Sequence, residues 1–306
     1  MERVYPLFPF FYLKIFIKNS IIFIENKREV FEMSNKNDSL GDRMKNYENV
    51  TRNYLTCRTP VIIRLDGKAF HTFTRGFKKP FDTVLAQTMQ ETMKYLCENI
   101  QGCVLGYTQS DEITLVLVDY FKLNSSAWFD YNIQKMVSVA ASMATFAFNK
   151  AFFRNINASI HGVYNGNNVD DIDGYAVALC RAYEKGAMFD ARAFNIPKEE
   201  VINCLIWRQQ DAVRNSIQAV GQYYFSHKEL QCKSCNTIQD MLLLEKGINW
   251  SEDYPTTFKH GSCCIKDHDY DEYGVDWGEG WRIDTEVPIF TQDRDYVNKL
   301  VYIKEE

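Results

Sequence analysis

The sequence is poor in proline and glycine and shows no strong bias of charge. Seven Pro and 15 Gly among 306 residues exclude collagen-like and linker-dominated chains. The 35 Lys and Arg residues nearly balance the 40 Asp and Glu residues, for a net charge of −5, so bulk charge does not indicate a nucleic-acid-binding protein. No internal repeat is found. With 46% hydrophobic and 25% charged residues, the composition predicts a folded chain of one large domain or two small ones.

The number of cysteines, nine, is odd, whereas a secreted disulfide framework usually pairs all of its cysteines. A reducing compartment and a cytoplasmic location are therefore predicted. Cys232 and Cys235, with Cys263 and Cys264, could supply four thiolates to zinc. Zinc sites normally show two CxxC pairs, and the second pair here is adjacent, so free thiols are the preferred interpretation.

Residues 1–33 differ from the rest of the chain. The stretch 4–24 is apolar, but Pro6, Pro9, Lys14 and Lys18 interrupt it, which makes a membrane span a weak hypothesis, and no stable membrane partner is expected. The basic residues could instead form an organellar targeting segment, which would place the protein in the mitochondrion. We prefer a third interpretation, in which this extension comes from an upstream start and Met33 opens the working protein.

We predict that deleting residues 1–33 leaves catalytic activity unchanged in vitro, because every motif described below lies outside this segment. The measurement compares the turnover of the truncated and the full-length protein at equal folded fraction. A truncated protein that folds but no longer binds its substrate would contradict the prediction.

Hydrophobic patterns after residue 33 predict a β-α-β-β core. The β-branched run 60–65 ends at Asp66-Gly67 and is typical of a buried strand followed by a turn. Asp82 can cap a helix that continues to about Ile100, and 102–107 and 113–118 are predicted to pair as a hairpin. The predicted fold is α+β, a ferredoxin-like polymerase palm with appended helices.

Further elements follow this core. A long helix is predicted over 131–153, strands at 175–180 and 187–192, and a helix from Pro197 to about Tyr224. We expect a catalytic domain over 34–240 and a C-terminal extension over 241–306 that packs on it or beside it.

Two carboxylates occupy the ends of predicted neighbouring strands. Asp66 ends the first strand, and Asp111 lies in the hairpin turn, so the two can converge. They could hold two Mg²⁺ ions together with the backbone carbonyl of Gly67, and two metals can stabilise both oxygens of a nucleotidyl displacement. Glu112 could face the other side of the pleat. The alternative is that these are ordinary turn residues.

Three ordered motifs resemble those of the tRNA(His) guanylyltransferase superfamily. They are RLDGKAFHTFTRGFKKPFD at 64–82, YTQSDEITLVL at 107–117 and WRQQD at 207–211, and the similarity covers most of residues 40–240. The resemblance implies a palm-like domain that adds nucleotides in the 3′-to-5′ direction to a tRNA 5′ end, with Mg²⁺ as cofactor and ATP, GTP and other NTPs as substrates.

The resemblance also assigns roles to residues. Asp66 and Asp111 would be catalytic, and both would bind metal with Gly67. The nucleotide-binding positions would be Asp66, Gly67, Lys68, Ala69, Phe70, His71, Lys79, Ser110 and Asp111. Arg208 resembles a family position near the nucleotide and the tRNA end. The predicted RNA-binding positions are Arg208, Arg214, Asn215 and Lys228, the last because it ends a segment, 223–228, that mixes aromatic and basic residues. tRNA is the implied partner, and family analogy suggests a homotetramer.

One motif departs from the tRNA(His)-specific enzymes. After WRQxD those enzymes have Cys-His-Ile-Asn-Asn, whereas this chain has Ala-Val-Arg-Asn-Ser at 212–216, with Val213 in place of histidine. This pattern is similar to the tRNA guanylyltransferase-like branch, which repairs 5′-truncated tRNA by template-dependent addition. The alternatives are G-1 addition to tRNA(His), a non-catalytic RNA-binding relative, and a nucleotide cyclase, which the WRQ motif and Lys79 disfavour.

Overall fold

A computed structural model describes residues 39–164, 174–270 and 276–302. The chain divides into two compact units, Met1–Arg52 and Asn53–Glu306. The described part of the first unit contains helix α1 (Ser39–Asn49), which is polar and has no buried residue. The predicted extension 1–33 lies outside the described residues.

The second unit is built on one antiparallel sheet. Its strands are, in chain order, β1 (Val61–Gly67), β2 (Cys103–Gln109), β3 (Glu112–Leu117), β4 (Phe189–Asn195), β5 (Ser262–Tyr270) and β6 (Asp276–Asp284). In the sheet they lie in the order β4-β1-β3-β2-β5-β6. The predicted β-α-β-β core is therefore present, and β5 and β6, from the segment 241–306, extend its sheet.

Helices of very different length surround this sheet. They are α2 (Phe70–Phe73), α3 (Thr83–Asn99), α4 (Ile133–Tyr164), α5 (Gly174–Lys185), α6 (Lys198–Tyr224), α7 (His227–Leu230), α8 (Cys235–Lys246), α9 (Trp250–Asp253), α10 (Thr256–His260) and α11 (Asp295–Val301). Helix α3 begins as predicted, because the Asp82 side chain accepts a hydrogen bond from the Leu85 N–H at 2.9 Å. This cap fixes the end of α3 beside the end of β1.

The alternation of side chains in β1 gives the sheet two covered faces. Val61, Ile63 and Leu65 are fully buried in the cluster formed with α3, α4 and α5. Ile62 is buried on the opposite face, in the cluster formed with α6 and α11. Asp66 follows the same alternation as Ile62 and therefore lies on the α6 face.

One predicted element is wrong and another is shifted. Residues 175–180, predicted as a strand, belong to helix α5, whose Ala178, Leu179 and Ala182 pack in the core. A short apolar run fits a buried strand and a buried helix equally well, and here it lies in a helix. The strand predicted at 187–192 is present as β4, displaced by two to three residues.

Helix α4 is long and apolar enough over residues 133–159 to cross a membrane. However, Ala140, Ala144 and Phe148 of this helix are fully buried against the sheet and α3. This burial is typical of a helix in the core of a folded domain. The apolar stretch 4–24 lies outside the described residues.

Candidate active site

Three carboxylates form a row across the α6 face of the sheet. In the antiparallel register, Asp66 of β1 is opposite Glu112 of β3 and opposite Asp190 of β4. Directly opposite residues have Cβ atoms about 4.5–5.5 Å apart. Negative charge is therefore concentrated at the end of β1.

The β2–β3 turn brings Asp111 to the same place. The Gly67 N–H donates to the Asp111 carbonyl at 3.1 Å, which ties the end of β1 to the turn. Ser110 has a left-handed backbone (φ 51°), and its hydroxyl donates to Asp111 Oδ1 at 3.0 Å. The structure thus brings together the two carboxylates that the sequence singled out.

The pKa values of Asp66 and Asp111 are both raised. Burial is the main cause for Asp66, and the Asp190 carboxylate raises its pKa further, while the Arg192 and Arg64 guanidiniums oppose both effects. For Asp111, burial raises the pKa, the hydrogen bond from Ser110 lowers it, and Asp66 raises it again. The anions are therefore poorly compensated by the protein alone.

The donor set fits Mg²⁺, which prefers oxygen ligands. Asp66 and Asp111 supply carboxylates, and Gly67 can supply a backbone carbonyl. Glu112 Oε1 is buried and has no hydrogen-bond partner in the described part of the chain. A divalent cation would lower these pKa values, because it stabilises the anionic form of each carboxyl group. The described residues contain no group of three or more His, Cys, Asp or Glu side chains that could hold a metal, so such a site rests on two carboxylates and a carbonyl.

The cysteines predicted as possible zinc ligands do not gather. Cys263 and Cys264 are fully buried in β5, opposite Tyr107 and Gly106 of β2. Cys232 is exposed and Cys235 begins α8. All four are free thiols.

A cavity of about 520 Å³ opens beside the carboxylates. Its wall combines the ends of β1 and β2, the start of α3, one side of α6, and α10. Of the predicted nucleotide-binding positions, the cavity is lined by Gly67, Ala69, Phe70, His71, Lys79, Ser110 and Asp111. Asp66 and Lys68 are not part of this lining. The sequence did not indicate the wall formed by Gln90, Thr257 and Ser262, whose side chains hydrogen-bond to one another, because these residues are far apart in the chain.

The segment 66–71 turns sharply at the cavity. Ala69 has a left-handed backbone (φ 54°), and no side chain caps helix α2, which follows it. A Cβ at Gly67 would lie 2.4 Å from the Phe70 ring, so only glycine fits. The Phe70 ring is buried among Phe73, Phe148 and Phe189.

The four predicted RNA-binding residues have different environments. Arg208 is buried, with Glu112 Oε2 at 3.0 Å and Asp211 at 3.5 Å, so its guanidinium faces the protein. Arg214 is exposed and pairs with Asp211 at 2.7 Å. Asn215 lines the cavity, and Lys228 is exposed on α7. Arg208, Arg214 and Asn215 thus all contact the Asp211 carboxylate, and Lys228 lies on a different helix.

A sheet-end carboxylate pair beside a cavity of this size is the kind of site that a nucleotide-transferring enzyme requires. Comparison with known proteins specifies the class. The family model described as tRNA(His) guanylyltransferase matches residues 41–197. The chain belongs to the tRNA(His) guanylyltransferase family, whose members are nucleotidyltransferases.

Individual relatives agree with this assignment. Uncharacterized protein R259 of Acanthamoeba polyphaga mimivirus is 32% identical over 74% of this chain and 76% of its own length. The tRNA(His) guanylyltransferase of Debaryomyces hansenii is 26% identical over 73% of this chain and 80% of its own. The solved structure of a bacterial tRNA(His) guanylyltransferase-like protein in complex with ATP has a TM-score of 0.70 and 42% identity, and covers 87% of this chain and 100% of its own.

Proposed function

We propose that this protein is a Mg²⁺-dependent 3′-to-5′ nucleotidyltransferase with a polymerase-palm core, which repairs 5′-truncated tRNA by template-dependent addition. The observation that carries the proposal is that Asp66 and Asp111 meet beside a cavity of about 520 Å³, which Asp111 and Gly67 line. Acids that were only turn residues would not need to be half-buried against one another at a raised pKa.

Asp66, Asp111 and the Gly67 carbonyl are the groups that would hold Mg²⁺. When bound there, the metal supplies charge stabilisation for the attacking and the leaving oxygen of the displacement. The protein itself contributes fixed positions, because the Gly67–Asp111 backbone hydrogen bond ties the two acidic segments together.

The cavity suits a nucleoside triphosphate. Related bacterial structures are complexes with ATP and with GTP, and here Lys79 and residues 67 and 69–71 line the cavity. Lys79 would balance phosphate charge, and Ser110 would hold Asp111 in orientation. In the proposed reaction the 3′-hydroxyl of the incoming nucleotide attacks the activated 5′-phosphate of the RNA. The activating group, AMP or pyrophosphate, leaves.

Val213 supports the repair branch. Its side chain packs against the apolar cluster of Ile217, Val220 and Phe225, where histidine stands in the tRNA(His)-specific motif. An aliphatic group can neither donate a hydrogen bond nor carry charge. Selectivity would then come from pairing of the incoming nucleotide with the opposite strand of the acceptor stem.

This proposal predicts complementary choice of nucleotide. Purified protein, Mg²⁺ and ATP are incubated with tRNAs that lack their first 5′ nucleotide and carry each of the four bases at the templating position. The labelled NTP that is added should follow the template in all four cases, and should be added faster than G-1 to full-length tRNA(His).

Two results would contradict it. Preference for GTP that ignores the template and is restricted to tRNA(His) would place the chain among G-1 guanylyltransferases. RNA binding without any addition, under conditions where a known relative is active, would indicate a non-catalytic protein.

A further inference from the structure

Two arginines face each other across the sheet beside the carboxylates. Arg64 of β1 is directly opposite Arg192 of β4 in the antiparallel register, two residues before the Asp66–Asp190 pair and hence on the same, α6 face. Like charges in directly opposite positions destabilise a sheet. The arrangement therefore favours the binding of an anion between or above them.

The protein does not neutralise both charges. Arg192 pairs with Asp190 at 3.5 Å, but both side chains are more than half exposed, where such a pair has little strength. Within the described residues Arg64 has no carboxylate at ion-pair distance, although it is partly buried. Its guanidinium carbon is 5.4 Å from the centroid of the Trp207 ring, and its charge also lowers the pKa values of Asp66 and Glu112.

Trp207 completes this surface with an aromatic ring. The side chain is 48% exposed, although it lies on α6 next to the buried Arg208, whose guanidinium carbon is 3.5 Å from the ring centroid. β4 is an edge strand of the sheet. Cations beside an exposed aromatic ring are the features that bind unpaired nucleotides, by phosphate contact and base stacking.

The position of this surface matches the proposed reaction. Along β1, Arg64 comes first, then Asp66, then Gly67 at the cavity. Along α6, Trp207 lies one to two turns before Ala212 and Asn215, which line the cavity. The carboxylates thus lie between the cavity and the two arginines.

We propose that Arg64, Arg192 and Trp207, here called the arginine–tryptophan surface, bind the 5′-terminal phosphate and base of the RNA that receives the nucleotide. This inference rests on the proposed function. It places the NTP in the cavity and the 5′ end of the RNA on the other side of the carboxylates. A free nucleoside triphosphate has the same phosphate and base chemistry, so the experiment must distinguish the two sources.

The test measures steady-state addition to a 5′-truncated tRNA by Arg64→Gln, Arg192→Gln and Trp207→Leu variants. Each should raise KM for the tRNA by about tenfold, with KM for the NTP unchanged within about threefold. Each arginine variant should also reduce the slope of log KM against log salt by about one. Arg154→Gln is the matched control, because Arg154 is similarly exposed and ion-paired but lies on α4, on the other face. Its KM for tRNA should not change.

A second readout does not require catalysis. A 5′-monophosphorylated RNA tetranucleotide should quench tryptophan emission, and Trp207→Phe should remove that quenching while thermal melting confirms the fold. Unchanged KM for tRNA in all three variants, or a rise confined to KM for the NTP, would overturn the inference. If the wild-type protein adds no nucleotide, the proposed function fails, and the fluorescence titration still decides whether this surface binds RNA.

Discussion

Asp66→Asn and Asp111→Asn are each expected to reduce nucleotide addition by about 10³-fold or more, while the protein stays folded. Each change removes one hard, charged ligand from a shared site, and the loss of several kcal/mol of charge stabilisation corresponds to such a factor. Single-turnover addition to a 5′-truncated tRNA measures the effect. Asp267→Asn is the control, since Asp267 is also a strand carboxylate in an ion pair with arginine but lies in β5.

The same variants should not lose stability. The raised pKa values show that folding makes both carboxylates less favourable as anions. A carboxyl group with a folded-state pKa above its unfolded value weakens the fold at neutral pH, and this penalty fades as pH falls towards the unfolded value. Removing the charge should therefore leave Tm unchanged or raise it. Near-normal turnover of either variant at equal folded fraction would disprove the metal assignment.

The strands of the core could be predicted from the sequence. Asp66 and Asp111 were found because each follows a short β-branched or apolar run that ends in turn residues. Their meeting followed from the β-α-β-β connectivity alone. The residues 175–180 were misassigned because periodicity cannot distinguish a short apolar helix segment from a strand.

The rest of the site depends on contacts between distant parts of the chain. Strands β5 and β6 join the sheet through the pairing of β2 with β5, which no local pattern of 262–284 indicates. The family motif predicts that Arg208 lies near the RNA but does not indicate its contact with Glu112, which depends on the rotation of α6 against the sheet. The same rotation exposes Trp207. Arg64 and Arg192 lie opposite each other because of the register between β1 and β4, and the sequence does not specify that register.

Arg208→Met is expected to destabilise the protein by about 3–5 kcal/mol, the usual effect of removing one partner from a buried ion pair. Only 8% of the Arg208 side chain and 12% of the Glu112 side chain are exposed. Without Arg208 the Glu112 carboxylate stays buried with Oε1 already unpartnered and with Asp66 opposite it. A chain of this size should lose roughly 10 °C in Tm, measured by thermal and urea unfolding.

A double-mutant cycle separates the ion pair from the packing of Arg208. Glu112→Gln in the Arg208→Met background removes the uncompensated charge, so the double variant should be more stable than Arg208→Met alone. Burial raises the pKa of Glu112, while Arg208 opposes that rise. Loss of Arg208 should raise this pKa further. Because protonation then removes the buried charge, the stability deficit of Arg208→Met relative to wild type should shrink as pH falls through that raised pKa. A deficit independent of pH, or a double variant with the summed loss of both single variants, would show that Arg208 stabilises the protein by packing on Trp207 and not by pairing with Glu112.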